Sequence, residues 1–219
     1  MITIIDYQAG NLKSLCNALS RQGFETTITT DPETILKSPL VILPGVGAFG
    51  DAAAALEDSG LKDALLQRSA LGKPILGICL GMQLLYENSD ESNTEDFALG
   101  LGLLKGNIRR LSPENAQFKV PHMGWNQLEK SPFTLPELES YEGQNVYFVH
   151  SYGLVDQDEA QIQFYTDHGQ KVPALVYSPP VQNDKGISKG SLMGFQFHPE
   201  KSGPEGEKLL AATIALLMS

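Results

Sequence analysis

Three short runs in the first third of the chain are apolar at almost every position: ITIID (2–6), LVILP (40–44) and PILGI (74–78). A strand with one wet face alternates apolar and polar residues. Strands buried on both faces do not, and they belong to parallel sheets covered by helices. The stretches between the runs carry the complementary signal. Leu12, Leu15, Cys16 and Leu19 recur at helical spacing behind Asn11, a good cap. FETTIT (24–29) reads as another strand, and Asp31-Pro32 as a helix start with proline at the first helical position. Asp51 is expected to cap one long helix through about residue 68, and LGMQLLYE (80–87) to form the next. This βαβα order predicts an α/β fold: a doubly wound, mostly parallel sheet with helices on both faces.

The later part is richer in strands and turns. GNIRRL (106–111), NVYFVH (145–150), AQIQFYT (160–166), VPALVY (172–177) and SLMGFQF (191–197) predict antiparallel strand additions. A last helix is expected from Pro204 through Leu217. NSDESNTED (88–96) reads as an acidic loop, and QNDKGISKG (182–190) and TDHGQ (166–170) as surface turns. No repeat or linker divides the 219 residues, so 1–219 is expected to be one domain.

Charge and cysteine usage narrow the function classes. Sixteen basic against 26 acidic residues give a net charge of −10, which argues against non-specific binding to nucleic acid or acidic lipid. Two cysteines cannot build a disulfide framework or a Cys-rich zinc site. No apolar run reaches the ~18 residues of a membrane span, and the start, MITIIDYQAGNLK, lacks the pattern of a secretory leader. The expectation is a cytoplasmic protein with no membrane or nucleic-acid partner, and with neither metal nor cofactor.

Within KPILGICLGMQLLYE (73–87), Cys79 falls where a strand ends and a helix begins, with Gly77 and Gly81 on either side. This is the cysteine form of the G-x-S-x-G nucleophile elbow. Such a turn lifts the sulfur out of the sheet and places it at a helix N-terminus, which favours thiolate. The Leu80 N–H is then aimed at an oxyanion formed on an attacked carbonyl. Five residues alone favour a buried structural cysteine over a nucleophile. Cys16, on the inner face of the first predicted helix with no elbow around it, reads as inert core.

A cysteine nucleophile needs a base. Of His122, His150, His168 and His198, the last follows an apolar strand run in GFQFHPEKS. In an extended segment Glu200, two residues on, projects to the same side as His198 and can orient its imidazole. Pro44-Gly45-Val46-Gly47, again directly after a strand, exposes backbone N–H groups that could complete an oxyanion hole. A phosphate-binding loop is the rival reading, but no Lys-Ser/Thr pair follows the glycines. Trp125, between Gly124 and Asn126, is less strand-like than its neighbours and suits an interface, where tryptophan is enriched.

PGVGAFG, GICLGMQLLYE, VPHMGWNQL, YFVHSYG and FQFHPEKSG together resemble the motifs of the class I (triad) glutamine amidotransferases, in order and across the whole chain. VPHMGWNQL and YFVHSYG are most similar to those of the glutaminase subunits of imidazole glycerol phosphate synthases. The resemblance implies a flavodoxin-like class I amidotransferase fold that hydrolyses L-glutamine through a cysteine thioester. It implies delivery of ammonia to a (β/α)8 cyclase subunit, in a 1:1 heterodimer, for synthesis of imidazole glycerol phosphate and aminoimidazole carboxamide ribotide in histidine biosynthesis. Carried onto this chain, the triad is Cys79, His198 and Glu200, and Val46 and Leu80 are the oxyanion donors. The Val46 N–H is expected to turn in only when the partner is loaded. Gly47, Gln83, His150, Ser151 and Tyr152 match substrate-binding positions. Met123, Trp125, Asn126, Tyr147 and Lys201 match positions facing the partner. The first family motif, usually DYG-x-GN, departs here: Gln8 stands where the family has glycine, which puts that turn in doubt. Three rivals are a glutaminase subunit serving another synthase, such as that for pyridoxal phosphate, a cysteine peptidase or hydrolase of related fold, and a non-catalytic binding subunit.

Overall fold

The structure, a computed structural model, describes residues 1–7, 12–92, 94–115, 117–156, 158–183 and 186–219. The Asn11 cap and the Gln8 turn lie outside the described residues. The three apolar runs form β1 (Ile2–Ile5), β3 (Val41–Leu43) and β4 (Ile75–Ile78), and the more exposed β2 is Thr26–Thr29. They pair in parallel in the order β2–β1–β3–β4, and Leu192–Phe195 adds a fifth parallel strand beside β4. Lys171–Ser178, Ile162–Asp167 and Glu129–Lys130 continue the sheet antiparallel, making eight strands.

Alternate side chains of the central strands enter opposite cores. Ile2, Ile4, Ile42, Leu76 and Ile78 meet Leu15 and Leu19 of α1 (Leu12–Arg21) and Leu210 and Ile214 of α6 (Gly203–Met218). Ile5, Val41, Leu43 and Ile75 meet Ile35 of α2 (Pro32–Lys37), Leu56 of α3 (Phe49–Asp58) and Leu61 and Leu65 of α4 (Leu61–Ala70). Helices therefore cover both faces, as the apolar runs require. Cys16 is less interior than expected: it is half-buried at the margin of the first core, and both cysteines are free thiols.

Several boundaries differ from expectation. The Asp31 carboxylate does cap α2, accepting from the Glu33 and Thr34 N–H groups. The long helix from Asp51 is instead two. α3 starts at Phe49 behind Ala48, and Asp51 lies in its first turn. Gly60, at φ +70°, separates α3 from α4. The helix after Cys79, α5, is only Leu80–Gln83. Beyond it the carbonyls of Leu84, Leu85, Tyr86 and Glu87 accept from the N–H groups of Leu101, Leu104, Gly102 and Gly100, so the segment is satisfied without helix. Val181–Asn183 pairs as a strand with Gly186–Lys189 where a plain turn was expected. His122–Gln127 forms a strand paired with Asn145–His150.

The reverse end of the sheet is held by Arg68. Its fully buried guanidinium donates to the carbonyls of Ile35, Ser38, Pro39 and Pro74, which lie ahead of β3 and β4. Burial lowers its pKa to about 10, still far above neutrality.

Candidate active site

Cys79 is one of two non-glycine residues with positive φ among the described residues, at φ 54° and ψ −111°. The conformation is sparsely populated for an L-residue, and strain of this kind marks functional turns. The neighbouring strand holds it: the Cys79 N–H donates to the Phe195 carbonyl at 2.6 Å. Both flanking glycines are required by close approach. A Cβ at Gly81 would lie 1.8 Å from the Leu43 carbonyl oxygen, and one at Gly77 would lie 2.5 Å from Met82 Cα. Leu80 is the first residue of α5, so its N–H falls outside intrahelical bonding.

His198 is brought to this elbow by the strand Leu192–Phe195, whose next residues turn into the short helix Pro199–Lys201. Its N–H donates to the Tyr147 carbonyl at 3.0 Å, and its own carbonyl accepts from Ser202 Oγ at 2.6 Å. The ring Nδ1 lies 2.8 Å from Glu200 Oε1, and the two side chains are only 3% and 8% exposed. Nε2 has no nitrogen or oxygen partner. Burial alone would lower the His198 pKa, but the adjoining Cys79 thiol and the Glu200 carboxylate outweigh it and push the value up to about 9. A cationic imidazole beside a thiol, oriented by a carboxylate, is the arrangement of an activated cysteine nucleophile.

These groups open onto a cleft of about 400 Å³ lined by Val46, Gly47, Leu80, Gln83, His150, Ser151 and Tyr152. All the positions matched to catalysis and substrate thus converge, except Glu200, which lies behind His198. Gly47 adopts φ +107°, a conformation that a side chain would strain. Gln83 is buried, and its Nε2 is committed to the Tyr152 carbonyl at 2.9 Å and Gln196 Oε1 at 3.0 Å. The His150 ring is likewise occupied: Nδ1 donates to the Tyr152 carbonyl at 2.8 Å, and Nε2 lies 3.1 Å from His122 Nδ1. His168, expected on the surface, is buried with its ring stacked on His122 at 3.9 Å.

Glu91 escaped the sequence reading. Among the described residues it is the one carboxylate lining the cleft, and its Oε2 accepts from the Phe49 N–H at 2.9 Å at the start of α3. Burial raises its pKa. Its run of polar and acidic neighbours gave the appearance of a solvated loop. The positions matched to a partner face divide. Met123 and Trp125 are 63% and 56% exposed on one side of their strand, and Trp125 meets the Tyr147 ring edge-on at 6.0 Å. Lys201 is exposed beside the triad. Asn126 turns to the opposite side, with Oδ1 at 3.0 Å from His122 Nε2 and Nδ2 donating to the Asp167 carbonyl. Among the described residues no group of His, Cys, Asp and Glu could hold a metal ion, and no helix is long and apolar enough to cross a membrane.

The family model described as glutamine amidotransferase class-I matches residues 3–216. The chain belongs to the class I glutamine amidotransferases. It is 46% identical over 213 residues to the imidazole glycerol phosphate synthase subunit HisH of Oceanobacillus iheyensis, and 43% identical over 210 residues to that of Carboxydothermus hydrogenoformans. Each alignment covers 96% of both chains. Among solved structures the fold is similar to a glutamine amidotransferase crystal structure (TM-score 0.71, 18% identity, covering 100% and 99% of the two chains). It is also similar to PurLQS from Thermotoga maritima (TM-score 0.67, 24% identity, covering 99% and 98%). The expected α/β amidotransferase fold is therefore the observed one.

Proposed function

We propose that residues 1–219 act as one glutaminase domain, the ammonia-producing subunit of an imidazole glycerol phosphate synthase. The similarity to HisH subunits over nearly the full chain supports the pathway. The observation that carries the chemistry is His198, held by Glu200 at 2.8 Å with Nε2 unpaired beside Cys79 at the cleft floor.

Cys79 thiolate attacks the side-chain carbonyl of L-glutamine, and the backbone N–H groups of Leu80 and Val46 receive the oxyanion. Protonated His198 gives its proton to the departing amine, so ammonia leaves and a γ-glutamyl thioester remains. His198 then takes a proton from water, which adds to the thioester and releases glutamate and the Cys79 thiolate. Glu200 stays charged and keeps the ring oriented. Glu91 faces the cleft as counter-ion for the substrate ammonium. Gly47, Gln83, His150, Ser151 and Tyr152 shape the pocket, with the last three lending mainly backbone groups. Ammonia passes to a (β/α)8 cyclase partner in a 1:1 complex docked on the face of Met123, Trp125, Tyr147 and Lys201.

Synthesis of imidazole glycerol phosphate by the chain and its cyclase, supplied with either glutamine or ammonium, tests this reading. Cys79→Ala and His198→Ala are expected to abolish glutamine-dependent synthesis and to leave ammonium-dependent synthesis intact. Glutamine-supported turnover by C79A would sink it.

A further inference from the structure

Gln196 sits between Phe195 and Phe197 with its side chain fully buried, and the reaction outlined above gives it no part. Its Nε2 donates to Cys79 Sγ across 3.9 Å, and its Oε1 accepts from Gln83 Nε2 at 3.0 Å. Gln83 Nε2 donates in turn to the Tyr152 carbonyl at 2.9 Å. A primary amide can point either way, but a backbone carbonyl can only accept. Tyr152 therefore fixes the nitrogen of Gln83 towards itself and Gln196. Gln83 fixes the oxygen of Gln196, and the remaining nitrogen of Gln196 must face the sulfur. Turning Gln196 over would set donor against donor at Gln83 and an oxygen against the sulfur. The Tyr152 carbonyl is itself pinned by His150 Nδ1 at 2.8 Å.

We propose that Gln196 is a further catalytic residue, whose carboxamide donates a hydrogen bond to Cys79 Sγ that strengthens as the thiol becomes thiolate. The proposal rests on Cys79 being the nucleophile. Besides His198, the sulfur also meets the Val149 carbonyl, 4.0 Å away, which accepts from the thiol and repels the thiolate. A donor to the sulfur favours the charged form, and bonds to ionised groups are roughly twice as strong as neutral ones. Gln196 thus opposes Val149 and shares the thiolate with His198. The titratable groups around Cys79 are His198 with Glu200 behind it, Tyr7, which interacts with the thiol electrostatically, and His150 near His198. The Tyr7 hydroxyl is committed to the Pro44 carbonyl at 2.6 Å and His150 Nδ1 to that of Tyr152 at 2.8 Å, which leaves the Gln196 amide as the neutral donor at the sulfur.

The test reads the sulfur directly. In a Cys16→Ser background Cys79 is the single thiol, and its alkylation rate by iodoacetamide is followed over about pH 5–10. Gln196→Met is expected to raise the pH of half-maximal rate by about one unit, the order for one hydrogen bond to a charged group. In the cyclase complex it should lower kcat for glutamine and leave KM nearly unchanged. Gln83→Met, which frees the Gln196 amide to rotate, should shift the alkylation profile the same way by less. Gln196→Glu should shift it further, because a carboxylate then faces the sulfur. Circular dichroism reports whether each variant is folded, and an unfolded Q196M leaves Q83M and Q196E to decide. Profiles that overlay the parent's in the folded variants would overturn the proposal and leave Gln196 as packing. His198→Ala separates the two levels: if removing the imidazole leaves the parent profile unmoved, the reading of Cys79 as an activated nucleophile is what fails.

Discussion

His198 and the His122–His150 pair are pushed in opposite directions although all three rings are buried. Cys79 and Glu200 overcome burial at His198 and raise it to about 9. Burial dominates at His122 and His150 and lowers them to about 4 and about 3. The raised group contributes stability fully present below its unfolded value of 6.5 and lost as pH rises through about 9. The depressed groups contribute stability present above 6.5 and lost as pH falls towards about 4 and about 3. The thermal midpoint is therefore expected to decline on both sides of a maximum near 6.5. H198Q should flatten the alkaline limb, and H150Q the acid limb. A midpoint that is level with pH in the parent protein, followed by circular dichroism, would contradict both assignments. At this scale the sequence was uneven as a guide. Cys79, His198 and Glu200 lie in short local patterns, although it is the short helix Pro199–Lys201, and not the extended segment expected from the sequence, that carries Glu200 beside His198. Glu91 and Gln196 do not, because what gives them meaning is the Phe49 N–H, the Gln83 amide and the Cys79 sulfur, all distant in the chain.

Among the elements, the join of β4, Cys79 and α5 leaves the least room. A methyl group at Gly81 would press on the Leu43 carbonyl, which belongs to β3 and has no flexible end to swing aside. Gly81→Ala must therefore move the elbow relative to β3 and Val46. The expected cost is about 1–3 kcal/mol of stability and roughly a hundredfold in glutamine turnover, the order for misplacing reacting groups by an ångström. Denaturant midpoints and glutaminase rates in the complex measure the two effects, and a G81A protein with parental kcat would show that the elbow tolerates the shift. The strands of the central sheet were legible because full burial on both faces leaves no polar position to confuse the pattern. Helix ends were less so. Gly60 ended α3 within an otherwise continuous apolar period, and residues 84–87 kept a helical look while their carbonyls were taken by residues 100–104. His122–Gln127 escaped because Gly124 and Trp125 do not look like strand residues, and its pairing with Asn145–His150 is what extends it.

For the molecule as a whole, the proposed partner face and the cleft meet at Tyr147. Its carbonyl accepts from the His198 N–H, and its ring packs on Trp125. Trp125→Ala is expected to weaken cyclase binding at least about tenfold, as loss of an exposed aromatic anchor does, with the thermal midpoint of the free chain little changed. Calorimetric titration checks this, and unchanged affinity together with unchanged glutaminase stimulation would place Trp125 outside the interface. That division of surface has a practical side at the other end of the strands. Arg68 ties down the approaches to β3 and β4, and residues 71–73 turn over it with Leu71 57% exposed. A tether attached at Leu71 would grip the protein next to the segments that the four Arg68 hydrogen bonds tie together. Immobilised this way on a bead or electrode, the chain would hold its cleft and its tryptophan face outward, open to glutamine and to the cyclase alike.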